Sequence, residues 1–313
     1  MITILAPAYN EEDVIRLFYT RVCEVIKNIN EDFELLFIND GSTDKTLNKL
    51  IELSLQDDRV SYIDLSRNYG KEIAMAAGFD HVKGDAVIIM DADLQDPPEL
   101  IIQMIKEWKK GYDDVYAKRS SRKGETGFKK TTSKCYWSIL AKISDIPVLK
   151  DTGDFRLLDR KVIDALKSIR ESERYTKGLY SVVGFKKKEI LYDREERAAG
   201  RTKYNLKAML LHAMHGITSM SVFPLKLSSI IGLSIITVNL IYLLVLILRA
   251  VFANKNINMA SWLIFIVLLV GGLQLVFLGV IGEYLGRIFK ESKGRPLYFI
   301  NEYHSGRKYD SKI

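Results

Sequence analysis

The chain has 313 residues, a formal net charge of +7 and a mean hydropathy near zero. Its length is sufficient for one large domain and a smaller additional segment. Its two cysteines, Cys23 and Cys135, lack pairing or metal-ligand spacing, which argues against a disulfide framework and fits a reducing compartment. The positive charge allows nucleic acid as a partner, but its position favours an anionic membrane surface or a phosphorylated substrate. The first residues are typical of a strand, so we expect no cleavable signal peptide.

The first part of the chain alternates strand and helix patterns. Strands are predicted at 2–6, 33–38, 60–65, 87–90, 114–117 and 186–192, with an edge strand at 155–158. The clearest helices are predicted at about 11–29, with Asn10 as N-cap, and at 71–82. Ser42 or Thr43 is expected to cap the helix after the second strand, and Asp96 the helix after the strand at 87–90. This alternation predicts βαβ units with right-handed crossovers, and therefore a Rossmann-like, mostly parallel sheet with helices on both faces.

Acidic turns follow several of the predicted strands. Residues 87–99 read VIIMDADLQDPPE, so Asp91 and Asp93 come directly after an apolar strand, and Asp40 and Asn10 follow two others. The carboxyl ends of parallel strands meet at one edge of a sheet, so these turns are expected to converge on an acidic cleft. Paired carboxylates favour Mg²⁺ or Mn²⁺ and, through it, a nucleotide diphosphate. Taken alone, the turn at 91–93 is equally typical of a solvated acidic turn.

Two missing nucleotide-binding motifs and two basic segments restrict the class of ligand that the chain is expected to bind. The sequence has no GxGxxG after its first strand and no GxxxxGK[ST], which disfavours a dinucleotide fold and a P-loop NTPase. Basic residues cluster at 119–134 and 194–203. These segments are either loops that close on phosphates or solvated surface charge.

The last part of the chain is strongly apolar. Residues 204–224 show helical spacing of apolar residues and are predicted to form interfacial amphipathic helices. Within 225–283, two uncharged segments, at about 227–249 and 258–282, each exceed the ~20 residues that cross a bilayer, so we predict a transmembrane hairpin. The basic tail, 284–313, is then cytoplasmic by the positive-inside rule, and so is the domain formed by 1–203. The expected location is the cell membrane, with a multi-pass chain and both termini cytoplasmic.

Four motifs together resemble glycosyltransferase family 2. They read LAPAYNEE, FINDGSTDKT, MDADLQDPPE and DTGDFRLLD, in that order along the chain. With two apolar segments after them, they are similar to bacterial polyprenyl-phosphate glycosyltransferases, relatives of dolichol-phosphate mannose synthase. The resemblance implies a GT-A fold for residues 1–203.

The resemblance also implies roles for individual residues. The nucleotide sugar would be held by nine residues: Pro7, Tyr9, Asn10, Glu11, Asp40, Ser42, Asp91, Ala92 and Asp93. The metal ligands would be Asp91, Asp93 and Gln95, with Asp93 favoured as the direct one. Arg119, Arg201 and Lys203 would contact the donor and lipid phosphates. The catalytic set would be Asp154, Asp93 and Arg201, with Asp154 as the residue usually proposed as base.

The resemblance therefore predicts an inverting hexosyltransferase. It would move one sugar, glucose or N-acetylglucosamine, from a UDP-sugar to undecaprenyl or another polyprenyl phosphate, with Mg²⁺ or Mn²⁺, for cell-envelope glycosylation. No nucleic acid is expected, and a homo-oligomer is left open. The alternatives are a GDP-mannose-dependent mannose synthase, a processive polysaccharide synthase, which the absent QxxRW motif disfavours, and a non-catalytic membrane scaffold.

Overall fold

A computed structural model describes residues 1–119, 152–172, 174–192 and 259–306, together with the isolated positions 234, 237, 241 and 244. The described chain divides into two compact units. One contains the sheet and its helices up to 192 and includes the segment 296–306. The other contains the long helix from Met259 to Ser292. The elements described below belong to the first unit unless stated otherwise.

The first unit is built on one mixed sheet. Within the described residues it has eight strands, ordered β7-β5-β6-β4-β1-β2-β3-β8. Their bounds are β1 Ile2–Ala8, β2 Phe33–Asn39, β3 Val60–Leu65, β4 Ala86–Ile89, β5 Asp114–Arg119, β6 Thr152–Asp159, β7 Lys187–Tyr192 and β8 Ile300–His304. The four central strands β4, β1, β2 and β3 run parallel, as the sequence predicts. Their apolar runs are buried because helices cover both faces.

The helices lie on the two faces of the sheet. Among the described residues, this unit has six helices: α1 Ile15–Ile26, α2 Thr46–Gln56, α3 Lys71–His81, α4 Leu100–Trp108, α5 Arg160–Ser168 and α6 Thr176–Val182. One apolar cluster joins α1, α2 and α4 to the sheet, through residues such as Phe18, Leu50 and Met104. A second cluster joins α3, α5 and α6, through residues such as Phe79, Ile163 and Leu179. The predicted α/β class with helices on both faces is therefore confirmed.

Two strands run against the others. β6 is antiparallel to both β4 and β5, and β8 is antiparallel to β3. The prediction of an edge strand at 155–158 is wrong, because β6 lies between β5 and β4 and its apolar residues are at most 1 % exposed. β8 comes from the C-terminal tail and covers the outer edge of β3, so the tail completes the sheet.

Helix starts differ from their sequence predictions. α1 begins at Ile15, so Asn10 does not cap it, and its first turn lacks acidic residues. α2 begins at Thr46, whose backbone N–H donates to Asp44 at 2.9 Å, so Asp44 replaces the expected Ser42 or Thr43. α4 begins at Leu100, and the expected cap Asp96 instead accepts a hydrogen bond from the Tyr192 hydroxyl at 2.5 Å. In each case a contact from outside the helix engages the residue that local pattern assigned to the cap.

The predicted transmembrane hairpin is not found. In the part of the chain that the structure describes, no helix has both the length and the apolar character that crossing a bilayer requires. The prediction of a multi-pass location, which rested on that hairpin, is wrong on this finding. The prediction depended on the length of the uncharged segments alone, whereas the helix α7, Met259–Ser292, continues through Glu283, Arg287 and Lys290. The segment 204–224, and all of 227–249 except four positions, lie outside the described residues.

Candidate active site

The carboxyl ends of the parallel strands meet at one edge of the sheet. Ala8 at the end of β1 pairs in register with Asn39 at the end of β2, and Leu5 of β1 pairs with Ile89 at the end of β4. The turns that follow therefore start side by side. The predicted convergence of the turns after 8, 39 and 90 is confirmed.

The turns after β1 and β2 are joined by hydrogen bonds. The backbone N–H of Asn10 donates to the Ser42 hydroxyl at 3.0 Å, and the backbone N–H of Thr43 donates to the Asn10 side-chain oxygen at 2.8 Å. Asn10 has φ +54°, a left-handed conformation that asparagine tolerates better than most residues. Glu11 donates its backbone N–H to Thr46 at 2.8 Å. Asn10, Glu11 and Ser42 thus form one rigid rim beside the partly buried Pro7 and the 37 %-exposed ring of Tyr9.

Asp40 connects this rim to the turn after β3. Its carboxylate accepts hydrogen bonds from the backbone N–H groups of Tyr69 at 2.7 Å and Gly70 at 2.9 Å. Burial raises the pKa of Asp40, although both backbone donors favour its charged form. Gly41 has φ +63°, and a Cβ there would meet the Asn68 backbone nitrogen at 2.5 Å, so this turn requires glycine. In the structure Asp40 therefore anchors the start of α3, and a contact with a base stays a prediction.

The turn after β4 alternates buried and accessible side chains. Ala92 and Leu94 are 2 % and 1 % exposed, while Asp91, Asp93 and Gln95 are partly accessible. Asp93 accepts a hydrogen bond from the backbone N–H of Gln95 at 3.1 Å. Leu94 has φ +57°, which costs a non-glycine residue about 1–2 kcal/mol, and burial of its side chain holds this conformation. The alternation directs both aspartates of the turn toward the open edge.

Asp154 reaches the same place from β6. The antiparallel pairing of β4 with β6 ends at Ile89 and Arg156, so Asp91, two residues beyond the end of β4, and Asp154, two residues before Arg156 in β6, lie at the same end of this strand pair. The ammonium of Lys71, the first residue of α3, lies between them. Its Nζ is 2.6 Å from Asp154 Oδ2 and 2.7 and 2.8 Å from the two Asp91 oxygens.

Lys71 holds the Asp154 carboxylate in its charged form. Burial would raise the pKa of Asp154, but the charge of Lys71, with Lys177 and Arg156, holds it well below its usual range. Burial would lower the pKa of Lys71, yet Asp154 and Asp91 raise it well above its usual range. A charge-assisted cluster of this kind keeps three charged groups at the edge of a buried sheet.

Lys71 is not among the site residues predicted from the sequence. Its local signal is a lysine in the first helical turn, where the helix dipole disfavours a positive charge. That signal becomes meaningful only when the neighbours from β4 and β6 are known. Other assigned residues lie outside what the structure describes: Arg201 and Lys203 entirely, and Arg119 except for its backbone at the end of β5.

The donors at this edge suit a hard divalent cation that is also held by phosphates. Across the described ranges, no three His, Cys, Asp or Glu side chains are grouped as a metal cluster. Asp93, Asp91 and Gln95 offer two carboxylates and one amide oxygen on a single turn. Mg²⁺ sites commonly combine one or two carboxylates with substrate phosphates and water, so this set fits such an ion. Because Lys71 contacts both oxygens of Asp91, Asp93 is the better placed of the two carboxylates to bind the divalent cation.

Comparison with known proteins identifies relatives over nearly the whole chain. The model of the family "Glycosyl transferase family 2" matches residues 3–167. "Uncharacterized glycosyltransferase YkcC" of Bacillus subtilis is 49 % identical over 96 % of this chain and 93 % of its own length. "Bactoprenol glucosyl transferase" of Shigella phage SfX is 40 % identical over 96 % of this chain and 98 % of its own length.

Solved structures resemble the chain more distantly. Mannosyl-3-phosphoglycerate synthase from Rubrobacter xylanophilus is 14 % identical, covers 69 % of this chain and 71 % of its own, and superposes with a TM-score of 0.49. A likeness at this level supports no argument about the ligands of this chain.

Proposed function

The chain belongs to glycosyltransferase family 2, and from this premise we propose that it transfers one glucose from a UDP-sugar to a polyprenyl phosphate. The observation that carries the proposal is the 40 % identity, over nearly the full length of both chains, with a bactoprenol glucosyl transferase. The meeting of Asp91 and Asp154 at Lys71, with Asp93 partly accessible on the same turn as Asp91, supports it. N-acetylglucosamine is the next sugar to test.

The nucleotide end of the donor would lie along the rim formed by the turns after β1 and β2. Pro7, Tyr9, Asn10 and Glu11 would hold it from one side, and Asp40 and Ser42 would face the base and ribose from the other. The Asn10–Ser42 hydrogen bond fixes the spacing of the two sides before a ligand arrives. Such preorganisation lowers the ordering cost of binding.

The diphosphate would lie at the turn after β4. Asp93, with Gln95 and Asp91, would hold Mg²⁺ or Mn²⁺ there, and Ala92 would let the backbone approach. The bound ion would stabilise negative charge on the UDP leaving group. Arg119, Arg201 and Lys203 would contact the donor and lipid phosphates; Arg201 and Lys203 lie outside the described residues.

The acceptor needs little activation. The second pKa of a phosphate monoester is about 6, so near pH 7 the polyprenyl phosphate is mostly dianionic. One of its oxygens would attack the anomeric carbon, a new carbon–oxygen bond would form with inversion, and the bond to UDP would break with its electron pair on the departing diphosphate. No proton has to be removed from the nucleophile, so Asp154 serves as an ionised positioning group.

One incubation tests the proposal. Full-length protein in detergent is mixed with undecaprenyl phosphate, Mg²⁺ or Mn²⁺ and a panel of UDP- and GDP-sugars, and the lipid products are identified by mass. We expect a single hexose added from UDP-glucose, inhibition by UDP but not GDP, and loss of product in Asp93→Ala. Product from GDP-mannose alone would overturn the donor assignment, and a ladder of masses would point to a processive synthase.

A matched control variant distinguishes a loss of activity caused by the site from one caused by destabilisation of the fold. Lys161, in the first turn of α5, pairs with Asp113 at 2.7 Å. This pair lies beyond the C-terminal end of β6, whereas Asp154 lies near the N-terminal end of that strand. Lys161→Met therefore removes a lysine–aspartate pair of similar length outside the proposed site. We expect it to retain wild-type transfer.

A further inference from the structure

Asp154 is held by only one of its two oxygens. Oδ2 lies 2.6 Å from the Lys71 ammonium, whereas Oδ1 is buried and has no hydrogen-bond partner among the described residues. The side chain of Asp154 is 8 % exposed. A buried charged oxygen without a donor is costly, and native proteins rarely leave one unless a ligand or water supplies the donor.

The surroundings of Asp154 explain which donor fits. The charged and titratable groups that face it come from four elements: Lys71 and Glu72 of α3, Lys177 and Tyr180 of α6, Arg156 of β6, and Asp91 after β4. Lys71 already neutralises part of the charge at this corner. The open Oδ1 therefore requires a hydrogen-bond donor more than it requires another full positive charge.

A phosphate is a poor partner for this oxygen. Near pH 7 the acceptor phosphate carries almost two negative charges and has few protons to donate, so an ionised carboxylate repels it. The hydroxyl groups of a sugar are neutral donors, and a hydrogen bond from a hydroxyl to a carboxylate is among the stronger kinds in proteins. Of the two substrates, only the transferred sugar offers such groups next to the reacting carbon.

Lys71 links this carboxylate to the diphosphate end of the site. One ammonium contacts Asp154 and Asp91 together, and the side chain of Lys71 is only 39 % exposed. The start of α3 is itself anchored, because Asp40 accepts the backbone N–H groups of Tyr69 and Gly70. The distance between the turn after β4 and Asp154 is therefore set by a fixed bridge.

We propose that Lys71 is a positioning residue that holds Asp154 so that Oδ1 accepts a hydrogen bond from one hydroxyl of the transferred sugar. Asp154 then takes part in sugar selection, and Lys71 fixes it relative to the turn that binds the diphosphate. This inference rests on the proposed function, since it takes a nucleotide sugar as the donor. It adds a lysine to the site and gives Asp154 a role in donor recognition.

The test uses deoxy sugars. Dissociation constants of the full-length protein are measured with its active nucleotide sugar, UDP-glucose in the first instance, and with the analogues that lack one hydroxyl each at C2, C3, C4 or C6. We expect one analogue to bind about 10–100-fold more weakly than the parent, as for loss of a hydrogen bond to a charged group. In Asp154→Ala that penalty should shrink to less than about threefold, because the paired group is already gone.

Lys71 variants show whether the lysine acts through Asp154. Lys71→Met should reduce the deoxy penalty in the same way, and Lys71→Arg should restore most of it, because arginine can still bridge two carboxylates. Lys161→Met serves as the matched control and should keep the full penalty. Binding of UDP alone reports folding and should change by less than about threefold in Asp154→Ala.

The outcomes are separable from those of the proposed function. A penalty that persists in Asp154→Ala, or the absence of any penalised hydroxyl in the wild type, overturns the inference. Donor binding does not require the lipid, so failure to form lipid product with an intact Asp154-dependent penalty overturns the acceptor assignment instead. An unchanged deoxy penalty in Lys71→Met would show that Lys71 does not position Asp154 for the sugar hydroxyl.

Discussion

Strand β6 contributes to two ion pairs, through Asp154 and Arg156, that differ in the exposure of their basic partner and in how fully their carboxylate oxygens are used. Arg156 and Asp114 pair at 3.0 Å with both side chains 1 % exposed. The Arg156 guanidinium also lies 3.5 Å from the Tyr180 ring centroid and donates to the Gly153 carbonyl at 3.1 Å. Asp154 pairs with Lys71 at the edge of the sheet and leaves one oxygen open.

The difference separates a structural pair from a functional one. The interior pair is enclosed by strands β5 and β6 and by a ring, so its carboxylate oxygens are both used within the protein. In the edge pair the Asp154 side chain is 8 % exposed and the Lys71 side chain 39 %, Lys71 is shared with Asp91, and one Asp154 oxygen is unused within the described part of the chain. The unused carboxylate oxygen beside an accessible lysine is what indicates a ligand at the edge.

The largest expected effect breaks the interior pair. Among the described residues, Arg156→Leu leaves the buried Asp114 carboxylate with Lys187 as its one basic partner, 3.7 Å away. The free energy of unfolding should therefore fall by about 3–5 kcal/mol, toward the lower value if Lys187 moves closer. Urea denaturation measures this change. Adding Asp114→Asn in the same chain should recover part of the loss, and no recovery would mean that packing against Tyr180 dominates.

The next effect addresses the edge pair. Asp154→Asn should lower kcat/KM for transfer at pH 7 by about 10–100-fold, mostly through a higher KM for the donor, because a neutral amide is a weaker acceptor than a carboxylate. Stability should change little, since Lys71 retains Asp91. Steady-state kinetics measures the expected fall in kcat/KM, and thermal denaturation measures the stability. A loss confined to kcat would instead assign proton transfer to Asp154.

A third variant tests the support behind Lys71. Gly41→Ala should destabilise the protein by about 1–3 kcal/mol and raise the donor KM, because the new methyl group would clash with the backbone of the turn that precedes α3. Gly111 is a matched control: its φ is +89°, but a Cβ there meets open space. Gly111→Ala should therefore lose stability without any change in KM, and equal KM effects would contradict the anchoring role.

The smallest effect concerns a more accessible pair. Arg59 donates to Asp57 and lowers the pKa of that carboxyl to about 2, whereas an unfolded aspartate titrates near 4. This contribution to stability is complete above about pH 4 and is lost as the pH falls toward 2. Urea midpoints at pH 5 and pH 3 should differ less in Asp57→Asn than in the wild type. An unchanged difference would show that other carboxylates control acid unfolding.

Local patterns in the sequence predicted many of the strands and helices of the sheet unit. The strand at 60–65 matches β3, and the helix at 71–82 is one residue longer than α3, because apolar periodicity and glycine turns are local signals. The motif turns at 91–93 and 40 also lie at one edge, since parallel strands place their carboxyl ends together. Helix starts were less predictable, because Asp44 and Asp96 accept hydrogen bonds from groups far away in the chain, the Glu12 backbone N–H and the Tyr192 hydroxyl.

By itself the sequence determined the α/β class, the acidic turns and the family to which its motifs belong, because each depends on residues close together in the chain. Only the tertiary structure decided that β6 runs antiparallel beside β4, and hence that Asp154 faces Asp91 with Lys71 between them. Strand order and direction are set by packing between segments dozens of residues apart. A lysine whose partners lie 20 and 83 positions away carries no local mark of the bridge that it forms.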